Sequence, residues 1–240
     1  MINKTTLQSF ISKYYLNGMN NSVKWRIKDS TLTVYASEKG TACKVELKDF
    51  KFEDCDLGIF DTDKLNKLIN TLMGELLITP EKTKAVYNKL HISDQTFDVV
   101  YSLADILIMK KVSYYKDQDN YDVELKLDKE HISNLIKAKQ SLSDQDNVTI
   151  TTFNDIERGM LCEFTFGDNA SYANKIAYRM EGNITHDNIE LPFNSDILAY
   201  ILKANKDMDY GEFKLSAEGL IKMNFYSDEI NSEYYLLRSE

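Results

Sequence analysis

The sequence predicts a duplicated α+β protein, and three observations lead to this fold class. Four stretches have the apolar spacing of an amphipathic helix, and each adjoins segments whose apolar residues alternate as in β-strands. The helical stretches recur about sixty residues apart, which is longer than the usual solenoid repeat and therefore indicates a duplicated domain. Fifteen tyrosines and eleven phenylalanines, spread among Val, Ile and Thr runs, favour strands.

The four predicted helices align on their apolar residues. The stretches are NKTTLQSFISKYYL, FDTDKLNKLINTL, LDKEHISNLIKAK and LPFNSDILAYILKA. The aligned positions are Leu7, Leu65, Ile132 and Ile197, followed by Phe10/Ile11, Leu68/Ile69, Leu135/Ile136 and Tyr200/Ile201. Unrelated amphipathic helices have the same spacing, but the last three copies also share a preceding strand and a polar cap. These additional features favour true repetition.

The predicted order in the first half is one helix, four strands, a second helix and three strands. The ranges are a helix at 5–16, strands at 23–28, 32–37, 42–50 and 52–60, a helix at 62–73, and strands at 76–79, 85–92 and 97–103. Asp61 or Thr62 caps the second helix. Pro80 and Ser93-Asp94 mark the breaks between the last three strands.

The second half repeats this order. The ranges are a strand at 121–127, a helix at 128–140, and strands at 148–153, 160–166, 173–180 and 188–193. Asp128 caps the third helix and Asn194 or Ser195 caps the fourth, where Asp196 adds favourable negative charge to the first turn. The strands GEFKLSAEG, LIKMNFYS and EYYLLRSE then complete the chain.

Residues 104–120 fit neither period well and are predicted to connect two domains. This stretch begins apolar and ends polar, and it lies between the second and third copies of the repeat. The run from Ile106 to Met109 is equally consistent with an ordinary buried strand, so both interpretations stay open at this point.

Composition and motifs give no support to an enzyme. The chain has 240 residues, of which 43% are hydrophobic and 28% charged, as in ordinary globular proteins. It contains no nucleophile-elbow, P-loop, dinucleotide-binding or zinc-protease motif, and its three histidines lie far apart. Three cysteines without CxxC spacing indicate reduced thiols. We expect no cofactor, no metal and no membrane span, and residence in the cytosol.

The distribution of charge gives two opposing indications about nucleic-acid binding. A net charge of −9 opposes nucleic-acid binding, because contacts to phosphates supply most of its energy. On a helical wheel, however, lysines lie opposite the apolar stripe of each helix; these are Lys13, Lys67, Lys137, Lys203 and Lys206. For any one lysine the simple interpretation is a solvated helix face. Recurrence on all four helices favours a shared basic surface.

Two passages carry a family resemblance that covers essentially the whole chain. The first is CDLGIFDTDKLNKLINTL at residues 55–72, where an apolar strand leads into a capped helix. The second is LPFNSDILAYILKANKD, followed by GEFKLSAEGLIKMNF and SEYYLLRSE. With these passages the chain resembles a DNA sliding clamp of the PCNA type, most nearly the clamps of T-even-like phages.

The resemblance implies two similar clamp domains, at residues 1–105 and 121–240, joined by a connector at 106–120. Each domain would have two helices on antiparallel sheet, and three chains would close head-to-tail into a ring around duplex DNA. Such a homotrimer acts as a processivity factor that tethers DNA polymerase and is loaded by a clamp-loader ATPase. The phage resemblance further implies the cytoplasm of an infected bacterial host.

The resemblance also implies three sets of site residues. The DNA-facing set is Lys13, Lys64, Lys67, Lys137, Lys203 and Lys206, although Leu198 and Leu202 fall on the same face of the fourth helix. The pocket for partner peptides is Ile106, Leu107, Ile108, Tyr235 and Leu237. The subunit interface pairs residues 84–92 with residues 172–180 of a neighbour, with Val86, Leu90, Ile176 and Tyr178 supplying apolar contacts. The alternative function is a monomeric α+β binding module or a phage structural protein without a DNA role.

Overall fold

A computed structural model of the chain describes residues 1–84, 86–112, 117, 118, 120–167 and 174–239. The chain divides into two compact units. Unit 1 comprises Met1–Glu38, Cys43–Ser113 and Asp228–Ser232, and unit 2 comprises Lys39–Ala42, Tyr114–Ser227 and Glu233–Glu240.

Four α-helices and seventeen strands make up the described chain. The helices are α1 (Lys4–Tyr15), α2 (Thr62–Asn70), α3 (Lys129–Ser141) and α4 (Ser195–Ala204), with a short 3₁₀ helix at Leu16–Gly18. The strands from the first copy of the repeat are β1 (Ile2–Asn3), β2 (Val23–Lys28), β3 (Thr31–Glu38), β4 (Thr41–Leu47), β5 (Cys55–Ile59), β6 (Glu75–Thr83), β7 (Val86–Ser93) and β8 (Asp98–Ser102). The remaining strands are β9 (Val123–Leu127), β10 (Asn147–Asp155), β11 (Gly159–Gly167), β12 (Lys175–Glu181), β13 (Asn183–Ile184), β14 (Glu190–Asn194), β15 (Tyr210–Ser216), β16 (Leu220–Tyr226) and β17 (Ile230–Leu237).

The order of the elements repeats, as the α+β prediction requires. In the first copy, β1 and α1 precede four strands, and α2 precedes three more; the second copy follows the same order from β9 onward, with β13 inserted. The pairing repeats too, because the strand order β1-β6-β7-β8 in the first copy corresponds to β9-β15-β16-β17 in the second. Likewise β4-β3-β2-β5 corresponds to β12-β11-β10-β14. The fold class is confirmed.

Helix caps occur where the sequence predicts them. The side chains of Asp61, Asp128 and Asn194 each accept a hydrogen bond from a backbone N–H in the first turn of the following helix. These bonds satisfy one of the amide groups that a helix start leaves without a partner. Asn3 caps α1 in the same way by accepting from the amide of Thr5.

Pro80 does not end a strand, in contrast to its predicted role. β6 continues through it to Thr83, with Pro80 opposite Leu90 of β7. On its other side, β6 pairs with β1 only at Glu75 and Leu76. Proline has no amide hydrogen to donate, but a position paired on one side only does not need a second bond. The irregularity instead falls one residue later, at a bulge between Glu81 and Lys82.

The connector begins as a turn and not as a buried strand. The amide of Ile108 donates to the carbonyl of Asp105, and the amide of Leu107 donates to the Asp105 carboxylate. Leu107 and Ile108 are 87% and 81% exposed. The alternative of a buried strand at these residues is therefore wrong. Residues 113–116 and 119 of the predicted connector lie outside the described residues.

The core of unit 1 contains an aromatic cluster between α1 and the sheet. Phe10 makes edge-to-face contacts with Tyr14 and Trp25, with ring centroids 5.5 and 6.1 Å apart. The indole N–H of Trp25 donates to the Tyr14 hydroxyl at 3.2 Å, so that both polar groups are paired although both rings are buried. Burial raises the pKa of Tyr14, which therefore stays a neutral phenol.

The core of unit 2 contains an equivalent polar contact at a different position. Buried Asn205, at the end of α4, donates from its side-chain amide to the carbonyl of Ile201 at 2.8 Å and to the hydroxyl of Tyr234 at 2.9 Å. The ring of Tyr234 packs edge-to-face on Phe225, with centroids 6.0 Å apart. These contacts fix the end of α4 to β17 through paired polar groups.

Lys139 joins the end of α3 to the start of α4 inside unit 2. Its ammonium group donates to the carbonyls of Ser143 and Gln145, at 3.1 and 2.5 Å, and lies 3.1 Å from the Asp196 carboxylate. The lysine is almost completely buried. A buried ammonium is tolerated only when it is paired and hydrogen-bonded, and here three oxygen atoms meet that requirement.

We predict that Lys139→Met destabilises the protein. Methionine fills the space of the alkyl chain but leaves two loop carbonyls and Asp196 without their donor, which costs about 1–3 kcal/mol of unfolding free energy. Urea denaturation measures the change. Lys137→Met, an exposed position on the same helix, is the matched control and should stay within about 0.5 kcal/mol of the unsubstituted protein. Equal effects of the two substitutions would contradict a structural role for Lys139.

Candidate nucleic-acid interface

The two helices of each unit pack side by side in opposite directions. In unit 1, the ammonium group of Lys4 at the start of α1 donates to the carbonyls of Asn70 and Leu72, at 2.9 and 2.6 Å, beyond the last turn of α2. In unit 2, Lys139 near the end of α3 reaches Asp196 at the start of α4. The start of α1 therefore lies next to the end of α2, and the end of α3 lies next to the start of α4.

The helices carry a charge opposite to that of the whole chain. The four helices contain eight lysines and three carboxylates, whereas the chain has 38 acidic and 29 basic residues. The three carboxylates are Asp63, Glu130 and Asp196, each in the first turn of its helix. Negative charge at that position is favoured by the helix dipole. Beyond their first turns the helices are purely basic.

Five of the six predicted lysines are exposed. They are Lys64 and Lys67 on α2, Lys137 on α3, Lys203 on α4 and Lys206 just beyond it. Lys67 pairs with Asp63 one turn earlier, with 2.5 Å between the ammonium and the carboxylate. The hydrogen bond from Lys67 to this carboxylate raises the pKa of the lysine. Such an exposed pair contributes little to stability, so Lys67 can exchange Asp63 for another anion at small cost.

Lys13 is the exception, and its assignment to the DNA-facing set is wrong. Its side chain is fully buried, and its ammonium group donates to the Ser9 hydroxyl at 2.9 Å. A buried ammonium cannot contact the phosphates of a duplex. The helical wheel placed Lys13 opposite the apolar stripe, but α1 is covered on more sides than one stripe because α2 packs against it.

Leu198 and Leu202 are buried although they fall on the same side of α4 as the lysines. Both are about 1% exposed, and α4 packs against α3 as well as the sheet. The apolar face of α4 is therefore wider than a single stripe. Lys203 remains exposed at its edge, and its place in the DNA-facing set stays a prediction.

The helices also have exposed uncharged polar residues, which the pattern of charge does not reveal. The exposed side chains in the first helix are Thr5 and Ser12, and Asn70 and Gln140 are exposed on α2 and α3. Hydroxyl and amide groups donate to phosphate oxygens as lysines do, without adding charge. The available signal was the composition of α1, which contains no carboxylate from Lys4 to Tyr15.

The predicted interface strand of the first half is not an edge strand. β7 lies between β6 and β8, so both of its edges are paired. Leu90 is fully buried opposite Tyr101 of β8, whereas Val86 lies at the hairpin end and is half-exposed. In the part of the chain that the structure describes, β8 is the strand at the edge of this sheet. Its Val100 side chain is half-exposed. Ala85 lies outside the described residues.

The predicted interface strand of the second half is an edge strand. β12 pairs with β11 and ends the order β12-β11-β10-β14 among the described residues. Ile176 and Tyr178 are partly exposed, and the Tyr178 ring makes an edge contact with His131 of α3 at 6.3 Å. Residues 172 and 173 of the predicted range lie outside the described residues. The role of these side chains between subunits stays a prediction.

The residues predicted to bind partner peptides differ in exposure. Ile106 is half-buried in unit 1, next to the exposed Leu107 and Ile108. In unit 2, Tyr235 is almost buried with Ala42 and Leu220 in a small apolar cluster, and Leu237 is partly exposed. Tyr235 and Leu237 lie on the same face of β17, because side chains two residues apart in a strand point the same way.

The described residues contain no group of three or more His, Cys, Asp or Glu side chains that is arranged to hold a metal ion. Burial raises the pKa of the Cys43 and Cys162 thiols to about 12 and that of Cys55 to about 11, so these thiols are not activated nucleophiles. Among the helices described, none is long and apolar enough to cross a bilayer.

Comparisons with known proteins identify the fold. No protein-family model and no curated protein matches the sequence. The proliferating cellular nuclear antigen (PCNA) of Entamoeba histolytica matches with a TM-score of 0.74 and 13% identity, over 99% of this chain and 96% of that one. A. fulgidus PCNA bound to the C-terminal region of FEN-1 matches with a TM-score of 0.75 and 13% identity, over 100% and 97%. The predicted fold, that of a PCNA-type sliding clamp, is confirmed.

Proposed function

We propose that the protein is a sliding clamp, a non-enzymatic processivity factor that encircles duplex DNA as a homotrimeric ring. It tethers a DNA polymerase to its template, and a clamp-loader ATPase opens and closes it. Residues 1–105 and 121–240 are its two clamp domains. A closed ring is held on DNA by its topology, so weak contacts that do not depend on sequence are sufficient and permit sliding.

The single observation that carries this proposal is the basic character of the helices in an acidic chain. The protein has the fold of a PCNA-type clamp, and its lysines outnumber its carboxylates on the helices alone. A random distribution of charged residues would give the helices a slight excess of carboxylates over lysines, as in the whole chain. The DNA-facing set is now Lys64, Lys67, Lys137, Lys203 and Lys206, joined by the neutral side chains of α1.

We predict that the combined substitutions Lys67→Glu, Lys137→Glu and Lys203→Glu abolish binding to duplex DNA at moderate salt. Each lost phosphate contact reduces the slope of log affinity against log salt by about 0.9, so the loss is about 3 per chain. Fluorescence anisotropy with a linear duplex, titrated over a range of salt concentrations, measures this slope. Processive synthesis by the cognate polymerase should fail in parallel.

Lys28→Glu, Lys51→Glu and Lys126→Glu together form the matched control, because these exposed lysines lie outside the helices and the change in net charge is the same. This variant should retain the slope and the processivity. Lys13→Met should reduce stability without changing the slope, since Lys13 is buried. An equal loss of DNA binding in the control would mean that only net charge matters, and the proposed lining would be rejected.

We propose that the ring closes by pairing β8 of one chain with β12 of its neighbour. These strands lie at the edges of their described sheets, and a free strand edge offers backbone groups for pairing with another chain. Val100 on β8 and Ile176 on β12 offer partly exposed apolar surface. β8 takes the place of the predicted β7, because both edges of β7 are already paired.

We predict that Val100→Glu or Ile176→Glu converts the trimer into monomers, because each buries a charge in a contact between subunits. Native mass spectrometry should give three times 27.7 kDa for the unsubstituted protein and 27.7 kDa for the variants. Ile156→Glu is the control, since Ile156 is fully exposed in the turn between β10 and β11 and belongs to neither edge strand. A strictly monomeric unsubstituted protein at all concentrations would favour the alternative of a monomeric binding module.

We also propose that partner proteins bind through a short apolar-aromatic peptide that contacts Leu107 and Ile108. Two adjacent aliphatic side chains with more than four-fifths of their surface exposed are unfavourable in water unless a partner covers them. The double substitution Leu107→Ser and Ile108→Ser should weaken binding of the polymerase's peptide at least about tenfold, measured by isothermal titration calorimetry. Ile156→Ser, which removes an exposed isoleucine elsewhere, should leave the affinity unchanged. A larger loss of affinity in Ile156→Ser than in the double variant would exclude this site.

A further inference from the structure

Lys222 lies in an unusual row of charges on the sheet of unit 2. It stands directly opposite Lys214 of the neighbouring strand β15. Lys214 has its own partner in Glu124 of β9, with 3.0 Å between the ammonium and the carboxylate. Two lysines facing each other across strands repel, so Lys222 needs carboxylates of its own. Its side chain is only 10% exposed, which makes that need stronger because little water is available.

Two carboxylates pair with Lys222, one on a strand and one outside any helix or strand. Glu233 of β17 lies 3.3 Å from the Lys222 ammonium group and is held in place by its strand. Asp117 contacts the same ammonium group through its Oδ2 atom but belongs to no helix or strand. The ring of Tyr235 completes the surroundings, with its centroid 5.4 Å from the ammonium nitrogen.

Each oxygen atom of the Asp117 carboxylate has its own donor. Lys222 binds Oδ2, and the hydroxyl of Tyr121 donates to Oδ1 at 3.0 Å. Burial works against the charged form of Asp117, but the hydrogen bonds from Lys222 and Tyr121 outweigh it and lower the pKa of this carboxyl. Burial and the nearby Asp117 charge raise the pKa of Tyr121, so its hydroxyl stays a donor. The arrangement gives one carboxylate two donors, one for each of its oxygen atoms.

Asp117 is the exchangeable member of this group. Its side chain is 52% exposed while the lysine beneath it is buried, so Asp117 covers Lys222 from the solvent side. Replacement of its carboxylate by another breaks no helix or strand hydrogen bond. Two residues along β17 from Tyr235, Leu237 is partly exposed on the same face and offers an apolar contact beside the charged one.

We propose that Lys222, Tyr121 and Tyr235 form a carboxylate-binding site, which Asp117 fills in the free protein and an acidic side chain of a bound peptide fills in a complex. The peptide would carry an aspartate or glutamate next to an apolar residue, the first for Lys222 and Tyr121 and the second for Leu237. The proposal adds a contact for an acidic side chain to the peptide binding proposed above. It depends on the proposed function only for the identity of the partner protein. The chemistry of the site can be tested without DNA or a trimer.

The test compares acetate binding to the unsubstituted protein and to Asp117→Asn. Asparagine keeps the size of the side chain but removes the competing anion, so acetate should shift the NMR signals of the Lys222 side chain in a saturable way. Acetate must displace Asp117 from the unsubstituted protein, and an Asp117 carboxylate that fills the site about nine-tenths of the time raises the acetate concentration required about tenfold. Identical titrations of the two proteins, or no saturable shift in Asp117→Asn, would overturn the proposal.

Three further variants distinguish acetate binding at a specific site from a general effect of nearby positive charge. Lys222→Met in the Asp117→Asn background should abolish the response to acetate, whereas Lys214→Met, which removes the neighbouring lysine, should leave it intact. Tyr121→Phe in the Asp117→Asn background should weaken acetate binding without abolishing it, and Asp117→Ala provides the same background if Asp117→Asn folds poorly. A response that survives loss of Lys222, or disappears with Lys214, would show that no specific site exists.

A short peptide then tests the class of ligand. An end-blocked Leu-Asp-Leu tripeptide should bind Asp117→Asn at least about tenfold more tightly than its Leu-Asn-Leu analogue, because only the aspartate supplies a charged acceptor for both donors. Equal affinities would exclude acidic peptides as the occupant. These measurements are independent of oligomeric state and DNA, so failure of the clamp proposal would leave their outcome unchanged.

Discussion

Burial of the apolar side of each helix is the constraint on which the rest of the structure depends. Once Leu7, Leu65, Ile132 and Ile197 are packed into the cores, the remaining sides of the helices must be polar and face away from the sheets. The dipole of each helix accommodates acidic residues in its first turn. The lysines that follow are then the charges the helices can offer to a ligand, and the acidic character of the chain is confined to strands and loops.

Lysines serve two different physical purposes in this protein. Exposed lysines such as Lys64 and Lys203 are in contact with water and remain available to a partner. Lys13, Lys139 and Lys222 are buried, and each of the last two has oxygen atoms of neighbouring segments as partners because an unpaired buried ammonium would be very costly. Counting lysines in the sequence cannot separate these purposes, because whether a lysine is buried depends on the packing of its surroundings, and Asp196, Asp117 and Glu233 reach Lys139 and Lys222 from distant parts of the chain.

The strand edges illustrate the same limit for the subunit contact. Alternation of apolar residues predicted β7 and β12 as strands, and both exist. Which strand lies at an edge depends on which strands pair with it, and pairing joins segments that alternation treats independently. β7 pairs with a strand on both sides, whereas β12 pairs on one side only. The prediction that β7 is an edge strand is therefore wrong, and the predicted role of β12 between subunits stays open. The prediction that Pro80 ends a strand was wrong for the same reason. A strand tolerates proline where one of its sides is unpaired, and pairing is not visible in the local sequence.

The sequence by itself determined the α+β class, the four helices, their caps and the duplication. These features follow from local spacing, from side chains that bond to nearby amides, and from a repeat that needs no three-dimensional information. Tertiary structure decided which lysines are free, which strands have open edges, that residues 106–108 form an exposed turn, and that Asp117 meets Lys222. Each of these depends on burial or pairing between segments far apart in the chain, and burial is a property of the folded core that no local pattern contains.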